Sequence, residues 1–137
     1  MAEFIDFASL KRPSTPNTFL LAPEGLCQVA QVDQTSPSWD IPAETLFAEC
    51  LSQIDAEDLW AVQGQSAQSF QLVFVARTRL LRFKDDVDLR VIPSDDGRAS
   101  CKVAIYSRSR IGRSDLGANA KRVSSLLEKL PKSIKAT

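Results

Sequence analysis

The segment Ser107-Arg108-Ser109-Arg110-Ile111-Gly112-Arg113-Ser114-Asp115 sets three guanidinium groups just ahead of a run that reads as the start of a helix. A guanidinium is a planar fork of donors matched to phosphate and carboxylate. The opening turn of a helix adds unpaired N–H groups and a dipole that favour negative charge. Arg108, Arg110 and Arg113, with Ser114, Asp115, Asn119 and Arg122, are therefore the candidate ligand-binding residues, and the ligand they suit is a small anion. Asp85, Asp86 and Asp88 compete for the same arginines, and Ser114 or Asp115 competes for the helix N–H groups as a cap. In the binding arrangement Asp85 and Asp86 orient the arginines and belong to the candidate ligand-binding set; in the second the carboxylates take up the arginines and the cluster is structural. A third use makes Asp86 the general base of an enzyme acting on an arginine-held anionic substrate. Its cationic neighbours oppose this, because they lower a carboxyl pKa where a base needs it raised.

Other chemistry is excluded by what the chain lacks. Its 137 residues include no histidine, which removes Ser-His-Asp and Cys-His catalysis and the usual imidazole metal ligands. Cys27, Cys50 and Cys101 are widely spaced and odd in number, so they predict buried free thiols rather than a zinc site or a disulfide framework. Asp95-Asp96-Gly97 lacks the recurring ligands of a calcium loop and reads as a turn. Asp85 and Asp86 are adjacent on a strand, point to opposite faces, and are poor partners for each other. No metal and no cofactor is expected, and catalytic residues are not assigned.

Lysine plus arginine equals aspartate plus glutamate at 17 each, so no overall field draws nucleic acid, and Tyr106 and Trp60 are too sparse a set of aromatics to stack it. From Lys102 onward, however, nine basic residues face two acidic ones. The partners this leaves are a small anionic ligand or another protein. Neither a leader peptide nor a membrane-spanning run is visible, and with three thiols expected free the expected location is cytoplasmic.

The elements that must position these residues follow from periodicity. Ala43, Phe47, Cys50 and Ile54, with Leu46 and Leu51, recur at three-and-four spacing after Pro42 and predict an amphipathic helix to residue 54. Beyond Asp55 the period falls to two, predicting strands near 58–64, 69–77, 86–92 and 100–109, with Ser94-Asp95-Asp96-Gly97 as the last turn. Leu116, Ala120, Val123, Leu127 and Leu130 form the stripe of a closing helix, capped by Ser114 or Asp115 and stopped by Pro131. The expected fold is α+β, a two-layer sandwich of order α-β-β-β-β-α, with both helices on one face of a four-stranded antiparallel sheet. It is a single domain over 1–137. Residues 41–137 are its core, and 1–40 form an extended, irregular, proline-bearing segment that Phe19, Leu20 and Leu21 dock onto it.

Alternation puts Lys84, Asp86, Asp88 and Arg90 on the face opposite Val87, Leu89 and Val91, and Lys102, Tyr106, Arg108 and Arg110 opposite Val103 and Ile105. Pairing Leu89 with Ile105 sets Asp86 across from Arg108 and Lys84 across from Arg110, which predicts an Asp86–Arg108 ion pair.

Three stretches also carry a resemblance: Arg12-Pro13-Ser14-Thr15-Pro16-Asn17, Arg82-Phe83-Lys84-Asp85-Asp86-Val87, and Ser107 through Asn119 with Lys121-Arg122. They resemble the uncharacterised family known as domain of unknown function 1499, whose pattern runs Phe-x-Asp-Asp-Val-Glu before a strand and Ser-Arg-x-Gly-x-Ser-Asp-x-Gly-x-Asn-x-x-Arg into the final helix. Asp88 stands here where that pattern often has Glu, and Arg113 where it often has an aromatic. The resemblance implies a shared fold and a shared site and assigns no reaction.

Overall fold

The computed structural model describes residues 4–79, 83–112, 117–130 and 135–136. Its central feature is an antiparallel meander: β4 (Trp60–Ser66), β5 (Gln71–Arg77), β6 (Lys84–Pro93) and β7 (Cys101–Ser109). The register is the one that matching apolar faces demands, with Leu89 opposite Ile105, Asp86 opposite Arg108 and Val91 opposite Val103. Gly97, at φ 82°, supplies the left-handed residue of the last turn, a conformation open to glycine because it has no Cβ.

Two amphipathic helices cover one face. In α1 (Ala43–Asp55), Ala43, Leu46, Phe47, Cys50 and Ile54 are buried, as their spacing requires. In α2 (Ala118–Lys129), the buried row is Asn119, Val123 and Leu126, continued by Leu130. Val123 and Leu130 of the predicted stripe are central, while Asn119 and Leu126 take the places expected of Ala120 and Leu127, which flank. The N-cap is Gly117 in the left-handed conformation, not Ser114 or Asp115. Arg113, Ser114, Asp115 and Leu116 lie outside the described residues. Under both helices, Leu72, Phe74, Val87, Leu89, Val91, Val103 and Ile105 form the main core.

The prediction of a four-stranded, two-layer sandwich understates the sheet. Among the described residues eight strands join it, in the order β2-β1-β7-β6-β5-β4, with two more strands off that path. The segment before α1 is not irregular throughout: β1 (Thr18–Ala22) pairs antiparallel with β7, β2 (Gln34–Thr35) pairs parallel with β1, and β3 (Ser38–Trp39) pairs with β7 beyond β1. β8 (Lys135–Ala136) pairs with β3. The prolines fall in the connections, before and after β1 and between β2 and β3, where a missing donor costs no ladder bond. The element order is therefore β-β-β-α-β-β-β-β-α-β.

The docked segment also adds a third layer. Phe7, Leu20, Ala22, Ala104 and Tyr106 make a second, smaller core on the face away from the helices, flanked by Ile5, Leu10, Leu26 and Ile92. Alternation in β1 explains the two-sidedness, since Leu21 enters the main core while Leu20 and Ala22 enter the second. Arg12 pins the segment: its guanidinium donates to the Gln31 carbonyl at 2.7 Å and to Thr18 Oγ1 at 2.8 Å, and pairs with Asp33 at 2.8 Å. Cys50 and Cys101 are buried free thiols, and burial pushes their pKa up to about 12 and about 11. Cys27 is only half-buried, contrary to expectation.

Candidate functional site at the strand-to-helix passage

Where β7 leaves the sheet and α2 begins, the predicted residues divide between the two sheet faces. Asp85 and Ser107 point toward the helices, in phase with Val87 and Ile105. Asn119 and Arg122 of α2, three apart and so on one helix face, come down to meet them. Arg122 Nη2 lies 2.8 Å from Asp85 Oδ2, with side chains only 9% and 3% exposed. Arg122 Nη1 donates to Ser107 Oγ at 3.0 Å and to Asn119 Oδ1 at 2.9 Å. The Ser107 hydroxyl donates to Asn119 Oδ1 at 2.6 Å.

Asn119 completes the arrangement on its other side. Its amide donates to the Asn17 carbonyl at 2.9 Å and to Ser109 Oγ at 3.1 Å. A side-chain amide offers two donors and two acceptor positions, and here all four are used. The Asn17 carbonyl also accepts the Ser109 backbone N–H at 3.0 Å, and the Asn17 amide donates to the Gly112 carbonyl at 2.8 Å. One buried polar network thus ties the residue before β1, strands β6 and β7, and helix α2 to one another.

On the opposite face the ion pairs are diagonal. Asp86 and Arg108 are direct cross-strand neighbours, yet the predicted pair between them does not form. Arg108 Nη1 instead donates to Asp88 Oδ2 at 2.7 Å, and Arg110 holds Asp86 by two bonds, Nε to Oδ2 at 2.9 Å and Nη2 to Oδ1 at 2.8 Å. The reason is reach: an arginine is long enough to lean along its strand to the diagonal partner. Leaning also sets the Arg108 guanidinium 5.0 Å from the centre of the Tyr106 ring.

The two outer carboxyls titrate in opposite directions. The hydrogen bond from Arg110 holds Asp86 below the ordinary carboxylate range. Burial pushes Asp88 above it, although Arg108 and the Ile5 N–H, which donates to Asp88 Oδ1 at 3.3 Å, pull the other way. Gln63, Val73, Asp86, Asp88 and Arg108 line a concavity of about 180 Å³ over this face.

Of the predicted site residues, Asp85, Asn119 and Arg122 meet in the buried network, Asp86 and Arg110 meet outside, and Arg108 turns to Asp88. Arg113, Ser114 and Asp115 lie outside the described residues. Asn17 and Ser107 belong to the assembly and are not among the candidate site residues, while Asp88, expected to compete for the arginines, does hold Arg108. The strand period could have found Ser107, which is in phase with Val103 and Ile105. Asn17 lies 102 residues from Asn119, a separation no local pattern spans. Among the described residues no group of three or more His, Cys, Asp or Glu side chains could hold a metal ion.

A family model described as "Protein of unknown function (DUF1499)" matches residues 10–130. A comparison with curated proteins finds no match.

Proposed function

The chain belongs to the protein family of unknown function matched over residues 10–130, and from that premise we propose that it is a small binding or accessory domain whose strand-to-helix arginines are architectural. One observation carries this reading: Arg108, Arg110 and Arg122 are each held by a carboxylate of β6, namely Asp88, Asp86 and Asp85. A ligand anion at these positions has to displace a carboxylate already in place. For Arg122 it also has to enter a site closed to water. The enzyme reading loses support on the same geometry, since Arg110 stabilises the ionised form of Asp86 and so weakens it as a base.

A second reading keeps an anion site at the passage. It is favoured by Arg110, whose side chain is 45% exposed beside the turn at Gly112. There Arg110, with Arg113, Ser114 and Asp115, would take a phosphate or carboxylate in exchange for Asp86. Thermal unfolding in phosphate or sulfate, against chloride at equal ionic strength, separates the two. The architectural reading expects no saturable rise in Tm. A saturable rise that Arg110→Glu abolishes would overturn it in favour of the anion site.

A further inference from the structure

Three large apolar side chains are exposed among the described residues, Val29, Phe83 and Ile111, and two of them share one end of the sheet. The Thr78 N–H donates to the Phe83 carbonyl at 2.9 Å and the Arg110 N–H donates to the Lys84 carbonyl at 3.2 Å, so both ladders continue past the last assigned pairs. Counting the β6–β7 register one step further sets Phe83 beside Ile111. They are 44% and 60% exposed, beyond the reach of either core.

The residues around this pair are basic. Arg77 is the register partner of Lys84, Arg79 follows it, and Arg110 closes the row, all four exposed. Asp86 is committed to Arg110 and Asp85 to Arg122. Arg77, Arg79 and Lys84 have no carboxylate partner among the described residues.

We infer that this end of the sheet, Phe83 and Ile111 flanked by Arg77, Arg79, Lys84 and Arg110, is a peripheral docking surface for an anionic lipid bilayer. Two physical features favour a membrane over an acidic protein. The apolar pair stands at the ends of strands, whereas the larger concavities, of about 570 and 630 Å³, are lined by other residues, among them Trp39 with Leu130 and Ile92 with Asp96. A protein interface anchors its apolar side chains in pockets. Projecting apolar groups at the end of a sheet, with long cationic side chains at the adjoining strand positions, instead suit the boundary between acyl chains and anionic headgroups. The inference does not rest on the architectural role of Arg108 and Arg122.

Co-sedimentation of the full chain with phosphatidylcholine vesicles, with and without about 30 mol% phosphatidylserine, tests it. Binding is expected only with the anionic lipid, and each basic residue removed should weaken it about fivefold. Arg77→Glu/Lys84→Glu should abolish it, and Phe83→Ser/Ile111→Ser should remove the fraction that survives high salt. Arg98→Glu, at the far turn and paired there with Asp96, should leave binding unchanged. Circular dichroism melts show that each variant is folded. The inference is overturned if folded protein fails to bind the anionic vesicles at low salt. It is also overturned if Arg98→Glu weakens binding as much as Arg77→Glu/Lys84→Glu, or if Phe83→Ser/Ile111→Ser binds like the parent at every salt concentration. Displacement by soluble polyglutamate, but not by inorganic phosphate at equal ionic strength, would assign the surface to an acidic polypeptide instead.

Discussion

Replacing Arg122 by methionine preserves the length of its apolar stem and removes the one described partner of the Asp85 carboxylate. The Asp85 side chain is 3% exposed, so water cannot substitute for the lost guanidinium. Breaking a buried ion pair from one side costs about 3–5 kcal/mol, chiefly because the surviving charge is left unpaired. Ser107 and Asn119 also lose a donor, but they keep their bond to each other, so nothing is added for them. For a domain of this size the loss corresponds to a fall in Tm of roughly 10–20 °C. Asp85→Leu strands the arginine instead, and about 2–3 kcal/mol is expected because Ser107 and Asn119 still accept from Arg122. The double variant removes both charges and should be less destabilised than Arg122→Met alone, with a coupling energy of about 2–3 kcal/mol. Urea unfolding at neutral pH measures all four corners of the cycle. Arg122→Met within about 1 kcal/mol of the parent, or strictly additive single changes, would refute the claim that this pair anchors α2 to β6.

Two further outcomes follow from the outer face. Phe7→Ala empties the centre of the second core, where Phe7 is 2% exposed, and should cost about 3 kcal/mol in urea unfolding while speeding tryptic cleavage after Lys11; a surface residue would change neither. Acid unfolding should carry two opposed contributions. Asp86 has a depressed folded pKa, so its share of stability is present above the unfolded value near 4 and is lost as pH falls through the folded one. Asp88 has a raised folded pKa, so its protonation adds stability as pH falls from neutrality through that value. Urea midpoints taken across this range should therefore respond less favourably to mild acidification in Asp88→Asn than in the parent. Parallel curves would show that Asp88 carries no such load.

The meander, both helices and the β6–β7 register were legible in the sequence because each is encoded locally, by a period of two or of three to four and by the turn at Ser94–Gly97. Asp86 opposite Arg108 was legible for the same reason. The ion pairs themselves were not, because side-chain reach rather than Cα register decides between the direct and the diagonal partner. The strands ahead of α1 were hidden differently. Thr18-Phe19-Leu20-Leu21-Ala22 is apolar almost throughout, since both of its faces are buried, and such a run shows no alternation. The prolines around it signalled irregular chain, although they sit only in the connections. Asp85 was read as a charge that orients arginines and proved to be a buried anchor. Its position in phase with Val87 held that information, because a carboxylate on an apolar face requires a buried cation.

β7 receives β1 and β3 along a single side, so strands made earlier complete a ladder whose template is made some eighty residues later. Until β7 is made, β1 and β3 lack the strand they add to, and β7 without them presents a bare hydrogen-bonding margin. Closure of that margin is a long-range pairing, which carries the entropic cost of bringing distant parts of the chain together.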